Sequence, residues 1–396
     1  MKLQRAALWS VYFAAITVFA DMYATQPILP LLSREFGISP TMAGTSISVV
    51  VAAIALGSSL FGPLSDIYGR KRVLVASSAL LALATLACAF APSFDALLVF
   101  RALQGLSVPG VSAVAIAYIG DRFPPERAGS IVGTYIACTG LGGLLGRVIA
   151  GVLASRFDWR APFYAYAALT LLASIAMLLA LERDFTLQRW EPRKLFAAYR
   201  AMATHVRNRR LLGAFCIGGL LFFAFIGIFT YLPYLLTGAP YHLSTAVVST
   251  FYFAYLAGVF VSPISGRLSQ RLAPGAIMMA GIGIAALGCA ITLSHSITFI
   301  ALGTVVLAVG MFTVQAVAPA YVNARAAHTK GGANSLYQTF YYAGAVLGAT
   351  LPGLAWERWA WPGVIFTCML SLALAFAATF ALREPTASHA SIDSIP

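Results

Sequence analysis

Charge is what this sequence has least of. Of its 396 residues only 10% are Asp, Glu, Lys or Arg, while 60% are hydrophobic. A water-soluble domain carries roughly 25% charged residues. So few charges cannot cover a solvated surface, and a lipid bilayer is the natural solvent. Acids are scarcer still, 13 against 26 bases. The five cysteines (Cys88, Cys138, Cys216, Cys289 and Cys368) lie inside apolar stretches with no C-x-x-C pair, so they read as small hydrophobic residues rather than as a disulfide framework. The five histidines are scattered without ligand spacing, and no metal site is expected. An enzyme or a non-transporting sensor would need a catalytic cluster, a phosphate-binding loop or a soluble domain. None is recognisable, and neither an enzymatic activity nor a cofactor is expected.

What the sequence has is long apolar runs. Stretches of about 20 residues, enough to cross a hydrocarbon core of roughly 30 Å, recur from end to end. Twelve spans are placed at 8–33, 41–62, 73–92, 94–118, 127–155, 160–182, 211–236, 244–265, 274–294, 297–321, 332–356 and 361–382. Backbone inside lipid must satisfy its own hydrogen bonds, so the spans are read as helices. Lys2, Arg5 and the apolar run after them resemble a signal peptide, but the run continues through "QPILPLL" into further spans and is read as an uncleaved first helix.

The net charge of +13 would suit nucleic acid in a soluble protein. Here the bases sit in short loops and report topology. Twenty Lys and Arg fall on the side of both termini, four on the other, and Arg101 and Arg147 inside spans. That bias predicts cytoplasmic termini, and short loops suggest the inner membrane of a bacterium. The basic segment 182–210 splits the chain into an expected N-terminal six-helix bundle (1–182), a cytoplasmic linker (183–210) and a C-terminal six-helix bundle with a short tail (211–396). Part of the linker reads equally as a solvated connector or as a segment lying on the anionic leaflet.

The halves resemble each other. "ILPLL" near Pro30 matches "YLPYLL" near Pro233, "GPLSD" at 62–66 matches "GRLSQ" at 266–270, and Tyr135, Gly146 and Gly151 match Tyr337, Gly348 and Gly353, all at offsets between 202 and 204 residues. A repeat in register across six spans predicts two parallel bundles with a site between them near the midplane.

"GPLSDIYGRKRVL", residues 62–74, resembles the signature loop of the major facilitator superfamily, with Gly62, Leu64, Ser65, Asp66, Gly69, Arg70, Lys71 and Leu74 in place. The resemblance covers the whole chain. It implies an all-α membrane protein of twelve helices in two pseudo-symmetric bundles. It also implies a cytoplasmic gate in which Asp66 faces the start of span eleven near Gly331–Asn334 and Arg70 and Arg127 are candidate partners. Gln270 replaces the acid in the second copy, so the latch is expected on one side only. "RALQG", residues 101–105, resembles the R-x-x-x-G motif of the drug:proton antiporter branch, which ties Arg101 to proton movement; a snorkelling arginine is the alternative. Gly142, Gly146 and Gly151 fit the antiporter motif of span five, with Arg147 at its proline and Ala150 at a glycine. A close-packing scaffold is therefore expected without a proline kink. Together with "YATQPILPLL" this looks like the acriflavine-sensitivity or arabinose-efflux-like subgroup.

Asp21 is the one acid well inside a span, and Thr17, Asp21 and Thr25 form a polar stripe at helical spacing. An intramembrane carboxylate is a proton-binding candidate. Arg101 and Arg147 are expected to share it across the cavity; alternatively Arg147 bonds backbone carbonyls and has no transport role. Tyr23, Gln26, Gln104, Tyr231, Tyr234, Tyr252, Tyr255, Gln315, Asn334, Tyr337, Gln338 and Tyr341 are the candidate cavity residues, a wall suited to flat lipophilic molecules, although aromatic residues also face lipid. The expected function is proton-coupled export of drug-like small molecules by alternating access. The alternative is an organic-anion or sugar-related carrier, since two arginines against one acid leave a positive cavity. Expected partners are a small-molecule substrate, protons and the lipid bilayer, without nucleic acid, and the chain is expected to be a monomer.

Overall fold

The computed structural model describes residues 2–182, 205–326 and 330–382, so most of the expected linker, and the tail beyond 382, lie outside the described residues. The described chain is helical almost throughout. Eleven stretches are long and apolar enough to cross a membrane, and the last, Gly332–Leu382, has 51 residues. That stretch is two crossings, because the helix is interrupted at Ala360 (φ 50°, ψ −138°), between Pro352 and Pro362. The architecture is therefore twelve crossings in two six-helix bundles, and an even number brings the start of the first helix and Leu382 to one face. That face is called the terminal face below, and its opposite the far face.

The helices are α1 (Lys2–Met22), α2 (Leu29–Phe36), α3 (Pro40–Tyr68), α4 (Arg70–Ala89), α5 (Phe94–Arg122), α6 (Pro125–Arg156), α7 (Ala161–Ala180), α8 (Arg209–Thr237), α9 (Thr245–Thr250), α10 (Ala257–Leu268), α11 (Pro274–Ile291), α12 (Ile297–Arg325) and α13 (Lys330–Thr379). Several begin where the sequence supplies an acceptor for the orphan N–H groups of a first turn. The hydroxyls of Ser39, Ser93 and Ser244 accept from Met42, Ala96 and Val247. Gly69 joins α3 to α4 at φ 92°, a conformation that residues with a side chain rarely take.

Two crossings depart from the continuous helices expected. The first is broken: α1 ends at Met22, a short 3-10 turn covers Gln26–Ile28, and α2 completes the crossing. Pro27 and Pro30 lack the N–H groups that would carry the helical ladder past Tyr23 and Gln26. Thr17 and Asp21 stay on one helix, and Thr25 lies beyond the break. The eighth crossing is also divided, into α9, a six-residue 3-10 stretch Phe251–Leu256, and α10.

Inside each bundle the repeat appears as matched close packing. Gly142 and Gly146 of α6 lie against Ile16 and Ala20 of α1, and their repeat mates Gly344 and Gly348 of α13 lie against Gly219 and Phe223 of α8. Small residues let backbones approach where lipid supplies no hydrophobic drive.

Contacts between the bundles gather toward the far face. Gly151 meets Ser249, Gly44 meets the Ala349 carbonyl, and Gly353 meets Thr41. The Ser48 hydroxyl lies 2.8 Å from the Val346 carbonyl and 2.7 Å from the Thr350 hydroxyl. Ser33 and Tyr234 share a hydroxyl–hydroxyl bond of 2.6 Å. Toward the terminal face, Arg70 meets Asp66 (2.5 Å) and Asp121 (3.0 Å), Arg122 meets Glu182, and Lys71 reaches the Leu181 carbonyl, each a contact within the first bundle. Gly129, Gly133 and Gly140, on the terminal-face half of α6, and Gly266 of α10 have nothing within 4 Å of an added Cβ. Among the described residues the molecule is closed between its bundles at the far face and parted at the terminal face.

This state has a direct test. The Ser48→Cys/Thr350→Cys double variant is expected to cross-link under mild oxidant and to lose solute movement, with recovery on reduction. Arg127→Cys, exposed on the terminal-face half of α6, is expected to react with a water-soluble thiol reagent. A double variant whose two thiols stay reduced under the oxidant would contradict the closed far face.

Candidate functional site

Asp21 is the last acid before α1 breaks, and it is wholly enclosed, at 0% exposure. An ionised carboxylate is costly to bury unless its lone pairs are met. Here the Thr85 hydroxyl of α4 donates to Oδ2, and the Gln104 amide of α5 donates to Oδ1 at 3.0 Å. The same amide donates to Thr85 Oγ1 at 2.8 Å. Amide orientations are ambiguous in general, but Arg101 settles this one. Its guanidinium has no acceptor and donates to Gln104 Oε1 at 2.9 Å, so the nitrogen of Gln104 must face Asp21.

Thr85 has one proton, and two acceptors compete for it: Asp21 Oδ2 and the Leu81 carbonyl at 2.7 Å. With Asp21 ionised, Thr85 donates to the carboxylate. With Asp21 protonated, the carboxyl donates to Thr85, which turns its proton to Leu81. Either way every oxygen keeps a partner. The site accepts both protonation states of Asp21 with the turn of a single hydroxyl. Sequence reasoning does not single out Thr85.

Arg101, also at 0% exposure, is enclosed in the bundle and does not snorkel. It reaches the break in the first crossing. Its Nη2 donates to the Met22 carbonyl (2.8 Å) and Thr25 Oγ1 (3.3 Å), Nη1 to the Asp21 carbonyl (3.3 Å), and Nε to the Ser46 carbonyl (3.2 Å). The carbonyls at the end of α1 lost their ladder partners at the break, and a cation suits a helix C-terminus. Arg101 thus caps α1 and touches the Asp21 carboxylate only through Gln104.

Arg147 is not at Asp21, contrary to the expectation that the two arginines share it. Its Nε donates to Gln26 Oε1 (2.6 Å) and its Nη1 to the Gly143 carbonyl (2.5 Å). Its guanidinium carbon lies 3.9 Å from the centroid of the Tyr23 ring in the first bundle, and 4.6 and 5.5 Å from those of Tyr255 and Tyr252 in the second. Gln26 in turn donates to Thr230 of α8 at 3.3 Å. Separation from Asp21 follows from the broken crossing: beyond Met22 the chain no longer continues the face that carries Asp21, and Tyr23 and Gln26 turn toward the second bundle.

These features, two bundles of six crossings related by a repeat, parted at one face, with buried charge in the first bundle and an aromatic wall in the second, are those of a carrier. The sequence profile of the Major Facilitator Superfamily matches residues 11–290 and 238–395. The chain belongs to that superfamily. It is similar to YybF of Bacillus subtilis (strain 168), an uncharacterized MFS-type transporter, at 34% identity over 376 residues, covering 93% of this chain and 92% of that protein. It is similar to the inner membrane transport protein YnfM of Escherichia coli (strain K12) at 35% identity over 369 residues, covering 92% and 88%. Its fold is that of the nucleoside transporter NupG (TM-score 0.79, 14% identity, 96% of this chain and 100% of that chain). It is equally that of a bacterial homologue of the human lysosomal transporter Spinster in an inward-facing, occupied conformation (TM-score 0.74, 15% identity, 96% and 95%). The chain is therefore a multi-pass membrane protein and a secondary transporter rather than an enzyme. As a member of this superfamily it moves a small solute across the bilayer by alternating access.

Within the transporter the remaining sequence candidates divide. Gln104, expected on the cavity wall, is enclosed between Asp21 and Arg101. Tyr231 and Tyr234, expected there too, belong to the far-face closure: Tyr231 donates to the Ala349 carbonyl at 2.9 Å, and Tyr234 meets Ser33. Asn334 is occupied by Asn323 at 2.6 Å, and Gln315 accepts from Tyr337 at 3.2 Å. Tyr252 donates to the Phe229 carbonyl at 3.0 Å. Tyr341 stacks on Phe222 with ring centroids 3.8 Å apart, and Gln338 is exposed. At the gate, Asp66 pairs with Arg70 of its own bundle, and the residues just before span eleven, 327–329, lie outside the described residues. Arg127 is exposed and Lys71 caps the end of α7 through Leu181.

Proposed function

We propose that this transporter couples proton movement to the export of drug-like small organic molecules, with Asp21 as the proton site. The observation that carries the reading is the Thr85 hydroxyl, poised between the Asp21 carboxylate and the Leu81 carbonyl, which lets the buried acid gain or lose a proton without stranding an acceptor. Arg101 and Gln104 link that acid to the break in the first crossing, and Tyr23 and Gln26 carry the break to the solute side. Protonation of Asp21 thereby changes the donors around the hinge of a helix that touches both bundles. The basic bias of the terminal face supports cytoplasmic termini, with residues 1–182 and 211–396 as the two bundles on either side of a cytoplasmic linker; the parted state described here is then the inward-facing one. Asp66, Arg70 and Arg127 are proposed to latch the cytoplasmic side in the opposite state.

The test is proton movement in inverted membrane vesicles, followed with an acid-sensitive dye during challenge with a panel of lipophilic cations, neutral drugs and organic anions. Solutes that the carrier exports are expected to dissipate the preformed gradient. Asp21→Asn, which cannot ionise, is expected to lose that response by about a hundredfold or more, within the range of removing an essential proton carrier. Dissipation retained in Asp21→Asn would end the proton assignment. The alternative, an organic-anion or sugar-related carrier, is separated by which members of the panel respond.

A further inference from the structure

Arg147 is a cation for which the described residues supply no anion. It is 2% exposed. A guanidinium has five N–H donors, and Arg147 uses two of them, on Gln26 and Gly143. No acid among the described residues pairs with it, and Asp21 is held by Thr85 and Gln104. A buried charge without a counter-charge is expensive and calls for a reason.

A second observation lies at the same place. The Tyr255 hydroxyl is buried and has no hydrogen-bond partner, although its ring centroid is 4.6 Å from the Arg147 guanidinium carbon. Buried hydroxyls are almost always bonded. An unpaired guanidinium edge and an unpaired phenol, brought together from opposite bundles, are the two donors that a carboxylate accepts, with the charged donor giving the stronger bond. The rings around them are of one kind. Tyr23 faces the guanidinium at 3.9 Å. Tyr23 and Tyr341 are half-buried, and Tyr341 lies parallel to Phe222 at 3.8 Å. These faces are already covered, Tyr23 by Arg147 and Tyr341 by Phe222, so a flat solute ring would stack on the remaining accessible side of the half-buried Tyr23 and Tyr341, and a fixed cation repels a cationic solute at contact distance.

We infer that Arg147 and the Tyr255 hydroxyl form the anion-binding end of the solute site, and that the solute is a small planar aromatic carboxylate. The inference rests on the reading of the chain as a carrier of drug-like organic solutes and gives that solute a charge. Because Arg147 sits on the fifth crossing and Tyr255 on the eighth, a bound carboxylate bridges the two bundles and compensates Arg147 in the same step.

The test is calorimetric titration of the purified full chain with 1-naphthoate, its neutral amide 1-naphthamide and the cation 1-naphthylmethylammonium. Naphthoate is expected to bind saturably, and the amide and the cation at least about tenfold more weakly, the ratio set by one charge-assisted hydrogen bond. Arg147→Gln is expected to weaken naphthoate by about tenfold or more and to erase its advantage over the amide. Tyr255→Phe, which keeps the ring and removes only the hydroxyl, is expected to weaken it about three- to tenfold. Arg358→Gln, which removes a remote charge, is expected to change nothing. Should Arg147→Gln fail to elute as a single folded species, Tyr255→Phe and the three-ligand comparison decide. Equal binding of acid, amide and cation, unchanged naphthoate affinity in Tyr255→Phe, or no naphthoate binding would each overturn the inference. Binding needs no proton gradient, so a failure here is distinct from retained gradient dissipation in Asp21→Asn.

Discussion

Gly146→Leu is expected to leave almost no folded transporter. A Cβ at Gly146 would overlap the Ala20 Cα and its carbonyl oxygen, so the obstacle is backbone and not a side chain that can turn aside. Admitting leucine means prising α6 from α1 directly beside Asp21. The Gly146 carbonyl also accepts from Tyr166 at 2.5 Å, and that bond breaks with the same movement. Overpacking costs about 1–3 kcal/mol where neighbours can shift and more where they cannot, so the loss here should exceed that range. The repeat mate makes the same demand, since a Cβ at Gly348 would overlap the Phe223 carbonyl oxygen. Gly140→Ala provides the contrast. Nothing lies within 4 Å of that position, and alanine is favoured over glycine in a helix by about 1 kcal/mol, so this variant should melt at the parent temperature or above it. Fluorescence-detected size exclusion of detergent extracts, followed by melting of whatever elutes, separates the cases. A monodisperse Gly146→Leu would mean that the first and fifth crossings do not pack as closely as described.

Arg101→Met should be the most damaging single change among the polar residues. It removes the donors to four acceptors besides Gln104, three of them main-chain carbonyls, and it leaves Asp21 as a buried charge with no cation near. Removing one partner of a direct buried charge pair costs about 3–5 kcal/mol; here Gln104 bridges the charges, and the orphaned carbonyls add to the loss. Arg101→Lys should recover little, because one ammonium cannot reproduce a planar fork spread over the end of α1, Ser46 and Gln104. The Asp21→Asn/Arg101→Met double variant should recover part of the loss, since the uncompensated charge disappears while the orphaned carbonyls remain. Thermal melting of the three variants in one detergent checks the order double above single. A Lys variant as stable as the parent would show that charge alone, without the fork, supports the break.

The number of crossings, the pairing of the two halves and the use of the antiporter-like glycines as packing surface were legible because each has a local cause: twenty apolar residues, a repeat in register, small residues at helical spacing. Asp21 and Arg101 were visible for the same reason, as ionisable residues in apolar runs. The break in the first crossing was also written locally, in Pro27 and Pro30, but an apolar run of sufficient length hid it. What could not be read is whatever depends on the rotation of one helix against another. Arg147 and Asp21 lie at compatible depths, and only the turn of the chain after Met22 separates them. Thr85 carried no signal at all, because a threonine in a helix satisfies itself on the carbonyl four residues back and so looks like any other. Tyr231 and Tyr234 have the composition of a binding wall and serve a seal. Aromatic composition fixes neither role.

The far-face closure joins its two halves through glycine contacts, main-chain carbonyls and the hydroxyls of Ser33, Ser48, Thr350 and Ser249. Ion pairs between exposed side chains, such as Arg160 with Glu35, weaken as ionic strength rises and the Debye length contracts from about 30 Å at 0.01 M to about 3 Å at 1 M. Neutral dipoles at contact distance do not respond in that way. Most of the seam that closes the far face is thus held by contacts that ionic strength leaves alone, and the Glu357 carboxylate beside Ser39 and Thr41 of the first bundle is its charged exception.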